Sequence, residues 1–231
     1  EIENRKKFKV PIYGTRHMVR LEERDVKHNQ YWLLEKAGIR IPKMISSPKK
    51  IDRPVIVKVN EATRSYERAF FVAVSYEDYI EKSNAMIKSG QITKKGLDKA
   101  VIEEFIIGAQ VNFNFFYSVL NDELELMGTD ARRQTSLDGF LRLNANVQKE
   151  LLDSSYNPTM IETGHFAVTI KESLIEKAYE IGEKFVKTTK KYSKPGIIGP
   201  FALQGAVSSE NGREELVIFD VSMRIPGSPG T

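Results

Sequence analysis

The last fifteen residues of the sequence, VIFDVSMRIPGSPGT, bring an acid and an arginine to a glycine-rich turn. Asp220 and Arg224 are four residues apart, so both side chains point to the same side if a strand continues through Met223. A carboxylate in this place can hold Mg²⁺, and a guanidinium can clamp a phosphoryl oxygen with two hydrogen bonds. The pattern therefore predicts a site for a phosphate and its metal. A surface salt bridge before a turn is the alternative interpretation.

Apolar runs around these residues predict a chain that mixes helices and strands. Strands are predicted at residues 55–59, 70–74, 101–106, 111–119 and 124–127. A final hairpin is predicted from residues 201–207 and 215–221, with its turn at Asn211-Gly212. Helices are predicted at about residues 24–36, after the capping residue Ser75, and at residues 171–191.

The composition narrows the class of protein. Lysine and arginine (35 residues) nearly balance aspartate and glutamate (31 residues), and this balance argues against a dedicated nucleic-acid-binding protein. No apolar run approaches the roughly 18 residues that span a bilayer, and the lack of cysteine excludes disulfides and thiolate metal sites. A cytoplasmic location is the default expectation. Because the sequence starts without methionine and stops inside a turn, we expect further chain at both ends, including an N-terminal domain.

Two charged features interrupt the predicted strands. Lys58 lies in the apolar run of residues 55–59, where an ammonium group costs free energy unless anions or water reach it. A bound ligand explains this lysine, and a lysine that extends to solvent from an edge strand is the alternative. Glu103 and Glu104 lie in the strand predicted at residues 101–106 and must face opposite sides of it.

The order of these elements resembles the ATP-grasp fold, in which a nucleotide lies between two α+β lobes. In that fold a lysine opens a helix that ends in a glycine and an exposed proline, and Lys27, Gly38 and Pro42 match this spacing. Lys58 resembles the lysine that reaches the phosphates from the mobile lobe. The Glu103-Glu104-Phe105-Ile106 segment resembles the hinge that contacts adenine and ribose, and we expect Glu104 to be the ribose contact. The resemblance implies a leading linker and helix (residues 1–42), a small mobile lobe (43–106) and a large lobe with the metal and substrate site (107–231).

Longer segments resemble one family within that fold. Residues 10–42, 124–139 and 162–174, with Gly199-Pro200-Phe201, are similar to the archaeal formate-dependent purine-biosynthesis ligases called PurP. The resemblance implies that ATP, Mg²⁺ (with Mn²⁺ as a possible replacement) and formate are used to formylate AICAR ribonucleotide through formyl phosphate. The products would be FAICAR, ADP and phosphate. It also implies small-molecule partners, no nucleic acid, no membrane and a homo-oligomer.

The resemblance assigns roles to individual residues. Lys58 and Arg224 would be catalytic, and Arg132, Arg133, Ser136 and His165 would contact the substrate. The nucleotide contacts are Lys27, Lys58, Glu103, Glu104, Arg64 and Arg68, and the metal ligands are Asp220 and Gln204. An exposed loop histidine is the alternative for His165.

Some positions depart from the family pattern. Gln204 occupies a position where ATP-grasp enzymes usually have an acid, and a carboxamide brings oxygen but no charge. The loop at residues 60–68 has no glycine, so Arg64 and Arg68 would replace backbone N–H donors, although an ordinary exposed loop is the alternative. Near Arg133 the chain offers Ser136 where the family has an asparagine. Two functions therefore remain: a working ligase, or a divergent relative that binds nucleotide or purine ribonucleotide with weak, altered or no ligase activity.

Overall fold

The computed structural model describes residues 7–24, 26–59, 70–156, 158–210 and 212–228. Its strands are β1 (Val55–Lys58), β2 (Phe70–Ala73), β3 (Val101–Glu104), β4 (Gly108–Ser118), β5 (Glu123–Gln134), β6 (Glu162–Ala167), β7 (Gly199–Glu210) and β8 (Arg213–Ser222). Its helices are α1 (Gln30–Lys36), α2 (Tyr76–Lys88), α3 (Lys94–Leu97), α4 (Leu137–Phe140), α5 (Ala145–Asp153) and α6 (Glu172–Tyr192). No helix within these described ranges is long and apolar enough to cross a membrane.

The smaller sheet has three antiparallel strands in the order β2-β1-β3. Its core contains Val55, Val57, Phe71 and Ile102, together with Tyr79 of α2. Ser75 caps α2 by accepting a hydrogen bond from the Asp78 N–H, as the sequence predicted. Because β1 is the central strand, its residues face neighbours on both sides.

The larger sheet has five antiparallel strands in the order β6-β5-β4-β7-β8. One face is apolar and packs on α1 and α6 through a core that includes Leu33, Phe113, Phe115, Phe185 and Phe201. Since residues of α1 such as Leu33 belong to this core, this helix is packed onto the large sheet. The predicted boundaries of the two lobes stay a prediction, although each sheet has its own core.

A bulge in β8 determines which of its residues face the polar side of the larger sheet. Gln204 of β7 pairs with Asp220, whereas the next residue, Gly205, pairs with Ile218, so Phe219 is the extra residue. A Cβ on Gly205 would lie 2.3 Å from the Val217 carbonyl oxygen, so only glycine fits here. The bulge turns Asp220 to the face opposite the apolar core, where it lies beside Gln204.

Two predicted boundaries differ from the structure. The helix expected from about residue 24 begins at Gln30, because the Asn29 side chain caps it by accepting from the N–H groups of Tyr31 and Trp32. Its predicted stop is confirmed, since Gly38 has a φ of +67° after the last turn. Strand β8 ends at Ser222, so the condition under which Asp220 and Arg224 share one side, a strand that continues through Met223, is not met. Helices α3, α4 and α5 and the polar edge strand β6 have no counterpart among the elements predicted from the sequence.

Candidate functional site

The polar face of the larger sheet gathers charged and amide side chains from every one of its strands. They are Asn112 and Asn114 of β4, Asp130 and Arg132 of β5, Glu162 and His165 of β6, Gln204 of β7, and Asp220 and Ser222 of β8. Alternation along β4, β7 and β8 produces most of this face, because neighbouring residues such as Phe113, Leu203 and Val221 point into the apolar core. The smaller sheet brings Lys58 close to the same region, with its Nζ 5.8 Å from the centre of the Phe219 ring.

Asp220 is held between two arginines. Its carboxylate oxygens lie 3.7 Å from Arg24 Nη2 and 3.9 Å from Arg132 Nη2. Burial alone would raise the pKa of Asp220, but the charges of Arg24, Lys58 and Arg132 outweigh it and hold the pKa below its usual value. Asp220 is therefore ionised, and its contacts with the two arginines are ion pairs at long range.

Gln204 lies directly across the hairpin from Asp220. Its carboxamide oxygen accepts from Arg132 Nη2, and its Nε2 donates to Ser222 Oγ at 3.1 Å. The two proposed metal ligands therefore share one arginine.

The Gln204 and Asp220 side chains offer oxygen ligands on the same face of the sheet, and oxygen is the ligand atom that Mg²⁺ prefers. They bring a single negative charge, and among the described residues no three His, Cys, Asp or Glu side chains converge on a point that could hold a metal. The pair therefore fits Mg²⁺ only when phosphate oxygens of a bound nucleotide complete the coordination.

Lys58 is almost fully buried and already paired. Its ammonium forms an ion pair with Glu103 and lies 3.1 Å from the Tyr31 hydroxyl. Burial lowers the pKa of Lys58, and the Glu103 carboxylate opposes that change. The alternative of an edge-strand lysine is wrong, because β1 is the central strand of its sheet. Since Glu103 supplies the anion, the burial of Lys58 does not by itself require a ligand.

The Tyr31 hydroxyl joins the two sheets. It lies 2.6 Å from Glu103 Oε2 of β3 and 3.1 Å from the Phe219 carbonyl oxygen of β8. Burial and the nearby Glu103 carboxylate raise the pKa of Tyr31, so the phenol stays protonated. This hydrogen-bonded residue of α1 was not among the site residues predicted from the sequence.

Glu104 faces the opposite side of β3 from Glu103, as predicted. Its Oε2 accepts from the Lys43 N–H at 3.0 Å and from Arg40 Nη2 at 3.1 Å. Burial opposes the charge, but these hydrogen bonds and the Arg40 charge lower the pKa of Glu104. The structure thus separates the two glutamates, and the preference for Glu104 as the ribose contact stays a prediction.

The other predicted nucleotide contacts lie away from this network or outside the described residues. Lys27 does not open helix α1 but lies exposed in the turn three residues before it, because Asn29 sets the start of the helix. Arg64 and Arg68 lie outside the residues that the structure describes.

Arg224 follows β8 and pairs with a different acid from the one that the sequence suggested. Its Nε lies 3.4 Å from Glu22 Oε2, and the Glu22 Oε1 accepts from the Met223 N–H. Asp220 pairs instead with Arg24 and Arg132, so the surface salt bridge between Asp220 and Arg224 does not form. Burial raises the pKa of Glu22.

The predicted substrate contacts divide into two groups. Arg132 and His165 lie on the polar face, where His165 Nδ1 is 2.5 Å from Asp130 and Nε2 is 2.9 Å from Glu162. Arg133 follows Arg132 on an extended strand and therefore points the other way, into a cavity that Ser136 also lines. His165 is thus an integrated member of the sheet and not an exposed loop residue.

Several residues of the network were not predicted. Asn112 and Asn114 were visible as the polar half of an alternating strand, and both donate to the buried Asp130 at 3.2–3.3 Å. Nothing in the local sequence distinguishes Arg24, because its carboxylate partner Asp220 lies at the other end of the chain. The structure alone brings these two together.

Comparisons with known proteins agree with this architecture. A family model described as a domain of unknown function, DUF1297, matches residues 78–231, and one described as a protein of unknown function, DUF1246, matches residues 1–45. The chain is 40% identical over 225 residues to the 5-formaminoimidazole-4-carboxamide-1-(beta)-D-ribofuranosyl 5'-monophosphate synthetase of Methanothermobacter thermautotrophicus. This match covers 97% of the chain and 59% of the relative, so the chain spans about three fifths of the relative's length.

Solved structures show the same fold. The IMP biosynthesis protein PurP from Thermococcus kodakaraensis matches with a TM-score of 0.66 and 25% identity, over 98% of this chain and 61% of that one. The carboxyaminoimidazole ribonucleotide synthase of Aspergillus clavatus, solved with ATP, matches with a TM-score of 0.59 and 16% identity, over 98% of this chain and 50% of that one. The predicted ATP-grasp fold of the α+β class and the resemblance to PurP are thereby confirmed. The chain belongs to the family described as a domain of unknown function, DUF1297, and it has an ATP-grasp fold.

Proposed function

We propose that this chain is the ATP-grasp part of an ATP-dependent carbon–nitrogen ligase that formylates AICAR ribonucleotide with formate. The synthetase name of the 40% identical relative supports the substrate. The structural observation that carries the proposal is the meeting of Lys58 and Phe219 between the two sheets, beside Asp220. In this proposal an ammonium from the smaller sheet and a carboxylate from the larger sheet would face the bound nucleotide.

The proposed reaction has two steps. A formate oxygen attacks the γ-phosphorus of ATP, the bond to ADP breaks, and formyl phosphate forms. The exocyclic amine of AICAR ribonucleotide then attacks the formyl carbon, the bond to phosphate breaks, and the amine loses a proton to give FAICAR. The protein positions these groups and stabilises charge, because phosphoryl transfer needs little covalent chemistry from side chains.

In this proposal Lys58 and Arg224 hold the oxygens of the transferred phosphoryl group. Lys58 would contact a phosphate oxygen in place of the Tyr31 hydroxyl while it keeps Glu103, and Arg224 would leave Glu22. Lys27, Arg64 and Arg68 would contact the nucleotide phosphates, and Glu103 or Glu104 would accept hydrogen bonds from the ribose.

Asp220 and Gln204 would hold Mg²⁺, or Mn²⁺ in its place, together with the nucleotide phosphates. A bound divalent ion would supply positive charge that neutralises the β- and γ-phosphate oxygens. Arg132 would release the Gln204 oxygen and turn towards the substrate, where His165 also lies. Arg133 and Ser136 complete the proposed substrate contacts, and a homo-oligomer in the cytoplasm stays part of the same proposal.

The ion pairs that Asp220 and Lys58 form in the absence of a ligand favour a second function. Gln204 lacks the usual charge, and Asp220 and Lys58 both have partners without any ligand. A divergent relative that binds nucleotide or purine ribonucleotide without efficient amide formation would keep the same arrangement.

Incubation of the protein with ATP, formate and AICAR ribonucleotide distinguishes the two functions. A ligase gives ADP, phosphate and FAICAR in equal amounts, measured by chromatography, and omission of formate stops all three. Nucleotide binding by calorimetry without FAICAR would support the divergent relative. The absence of both binding and product would contradict both functions.

A further inference from the structure

The first two residues of helix α1, Gln30 and Tyr31, contact strand β8 on both sides of Asp220. The Tyr31 hydroxyl lies 3.1 Å from the Phe219 carbonyl oxygen, to which it donates. Gln30 Oε1 accepts from the Val221 N–H at 2.6 Å. The carbonyl and the N–H belong to the two peptide planes that flank the Asp220 Cα, so their orientations define the backbone dihedrals of Asp220. The start of α1 therefore holds the backbone from which the Asp220 carboxylate projects.

The larger sheet holds this part of β8 from one side. β8 is the edge strand of the sheet, and Phe219 is the extra residue of its bulge. A bulge interrupts the ladder of hydrogen bonds and bends the strand. The direction of the Asp220 side chain thus depends on hydrogen bonds that come from outside the sheet.

The Gln30 side chain is itself fixed in one orientation. It is 1% exposed, and its Nε2 donates to the Glu22 carbonyl oxygen at 2.6 Å while its Oε1 accepts from Val221. The Glu22 side chain in turn accepts from the Met223 N–H at 2.6 Å. Because both ends of the Gln30 amide are used, its oxygen points to β8 in the absence of any ligand.

Tyr31 makes a second connection, to the smaller sheet. Its hydroxyl lies 2.6 Å from Glu103 Oε2 and accepts from Lys58 Nζ at 3.1 Å. A phenol has one proton, so Glu103 and the Phe219 carbonyl oxygen share it. One buried hydroxyl thus links the Lys58–Glu103 pair to the peptide plane that precedes Asp220.

We propose that Gln30 and Tyr31 are positioning residues that direct Asp220 towards a divalent metal ion and set its separation from Lys58. The inference rests on the proposed function, in which Lys58 and Asp220 act on one nucleotide and its metal. Mg²⁺ demands nearly ideal octahedral geometry, so the direction of its protein ligand matters. Gln30 and Tyr31 act through the β8 backbone and do not touch the nucleotide. When a phosphate oxygen replaces the Tyr31 hydroxyl at Lys58, the hydroxyl keeps its contacts with β8 and Glu103.

Tyr31→Phe tests this role, because it removes only the hydroxyl. The probe is ADP, titrated by calorimetry with and without Mg²⁺, and the ratio of the two dissociation constants is the Mg²⁺ effect. Tyr179→Phe is the matched control, since the Tyr179 hydroxyl also joins a helix to the larger sheet, at the Leu126 N–H, but on the apolar face. We expect Tyr31→Phe to reduce the Mg²⁺ effect by about three- to tenfold, as for the loss of one hydrogen bond, and the control to leave it unchanged.

A purely structural role would lower thermal stability in both variants without changing the Mg²⁺ effect. The positioning role is therefore wrong if Tyr31→Phe keeps the Mg²⁺ effect of the parent, or if Tyr179→Phe reduces it equally. It is also wrong if Mg²⁺ does not change the ADP affinity of the parent, because Asp220 then serves no metal.

Gln30→Met tests the other side of Asp220 without any ligand. The variant keeps the side-chain volume but removes the acceptor of the Val221 N–H, so the Val221 amide should exchange with solvent about tenfold faster or more by NMR. The Tyr179→Phe control should exchange as the parent does. Unchanged exchange at Val221 would contradict the contact. If Gln30→Met does not fold, Tyr31→Phe decides the test alone.

The proposed function and the positioning role can fail separately. In a working ligase, Tyr31→Phe should raise the Mg²⁺ concentration that gives half the maximal rate and leave the KM for AICAR ribonucleotide unchanged. If FAICAR forms but Tyr31→Phe and Tyr179→Phe need the same Mg²⁺ concentration, the positioning role is wrong and the ligase stands. If no FAICAR forms but the Mg²⁺ effect on ADP binding falls in Tyr31→Phe alone, the positioning role stands and the ligase is wrong.

Discussion

Lys58 on the three-stranded sheet and Asp220 on the five-stranded sheet are both charged residues in apolar strands, but their partners differ. The Lys58 and Glu103 side chains are 6% and 2% exposed and form a close pair. The Asp220 side chain is 21% exposed, and its two arginines stay 3.7–3.9 Å away. A buried, closely paired charge contributes to folding and resists exchange, whereas a partly exposed cluster with longer contacts can exchange its partners for a ligand.

This difference affects how the protein would bind a nucleotide between its two sheets. Arg24, Arg132 and Gln204 can move away from Asp220 without leaving a fully buried charge. Lys58 cannot leave Glu103 unless another charge replaces it, because an unpaired carboxylate would remain in the interior. We therefore expect ligands to rearrange the large-sheet cluster and to add to the small-sheet pair.

The largest effect is expected for Lys58→Met. The variant keeps most of the side-chain volume but leaves the buried Glu103 without its cation, so the free energy of unfolding should fall by about 3–5 kcal/mol. Chemical denaturation at neutral pH measures this loss. The double variant Lys58→Met, Glu103→Gln removes both charges and should recover part of it. A loss below about 1 kcal/mol in the single variant is typical of a surface ion pair and would show that Lys58 and Glu103 do not form a buried one.

Asp220→Asn should have a smaller effect that depends on pH. The variant leaves Arg24 and Arg132 without their shared carboxylate, and a loss of about 1–3 kcal/mol lies between the ranges for exposed and buried pairs. Because the pKa of Asp220 is lowered in the folded protein, its contribution is present above the ordinary pKa near 3.8 and is lost as the pH falls through the folded value.

Denaturation curves from neutral to acidic pH check this sign. The difference between parent and Asp220→Asn should be largest near neutrality and should shrink in acid. A difference that grows as the pH falls would mean that the pKa of Asp220 is raised and that burial outweighs the arginines.

The strands were largely predictable because their signals are local, and the fold was expected from the resemblance to ATP-grasp enzymes. The alternation of Asn112, Phe113 and Asn114 predicts a strand with one polar face, and Ser75 before Glu77 and Asp78 predicts a helix start. The pairing of charges was not predictable, because it depends on contacts between distant segments. Arg24 and Asp220 lie near opposite ends of the sequence, and β8 ends at Ser222, before strand alternation could place Arg224 on the same side as Asp220.

The smallest effect is expected for Gln204→Glu, and its sign should depend on the metal. Two carboxylates facing each other across β7 and β8 repel, but Arg132 contacts both positions and offsets part of the repulsion. Without ligands the variant should lose about 1 kcal/mol of stability or less. With nucleotide present, the added charge should tighten Mg²⁺ binding. Calorimetric titrations with Mg²⁺ in the presence and absence of nucleotide measure both arms, with Ser222→Ala as a control that removes only the other hydrogen bond of Gln204. If the variant binds Mg²⁺ as the parent does both with and without nucleotide, the residue at position 204 does not face a metal. The role of Asp220 would then be limited to its ion pairs with Arg24 and Arg132.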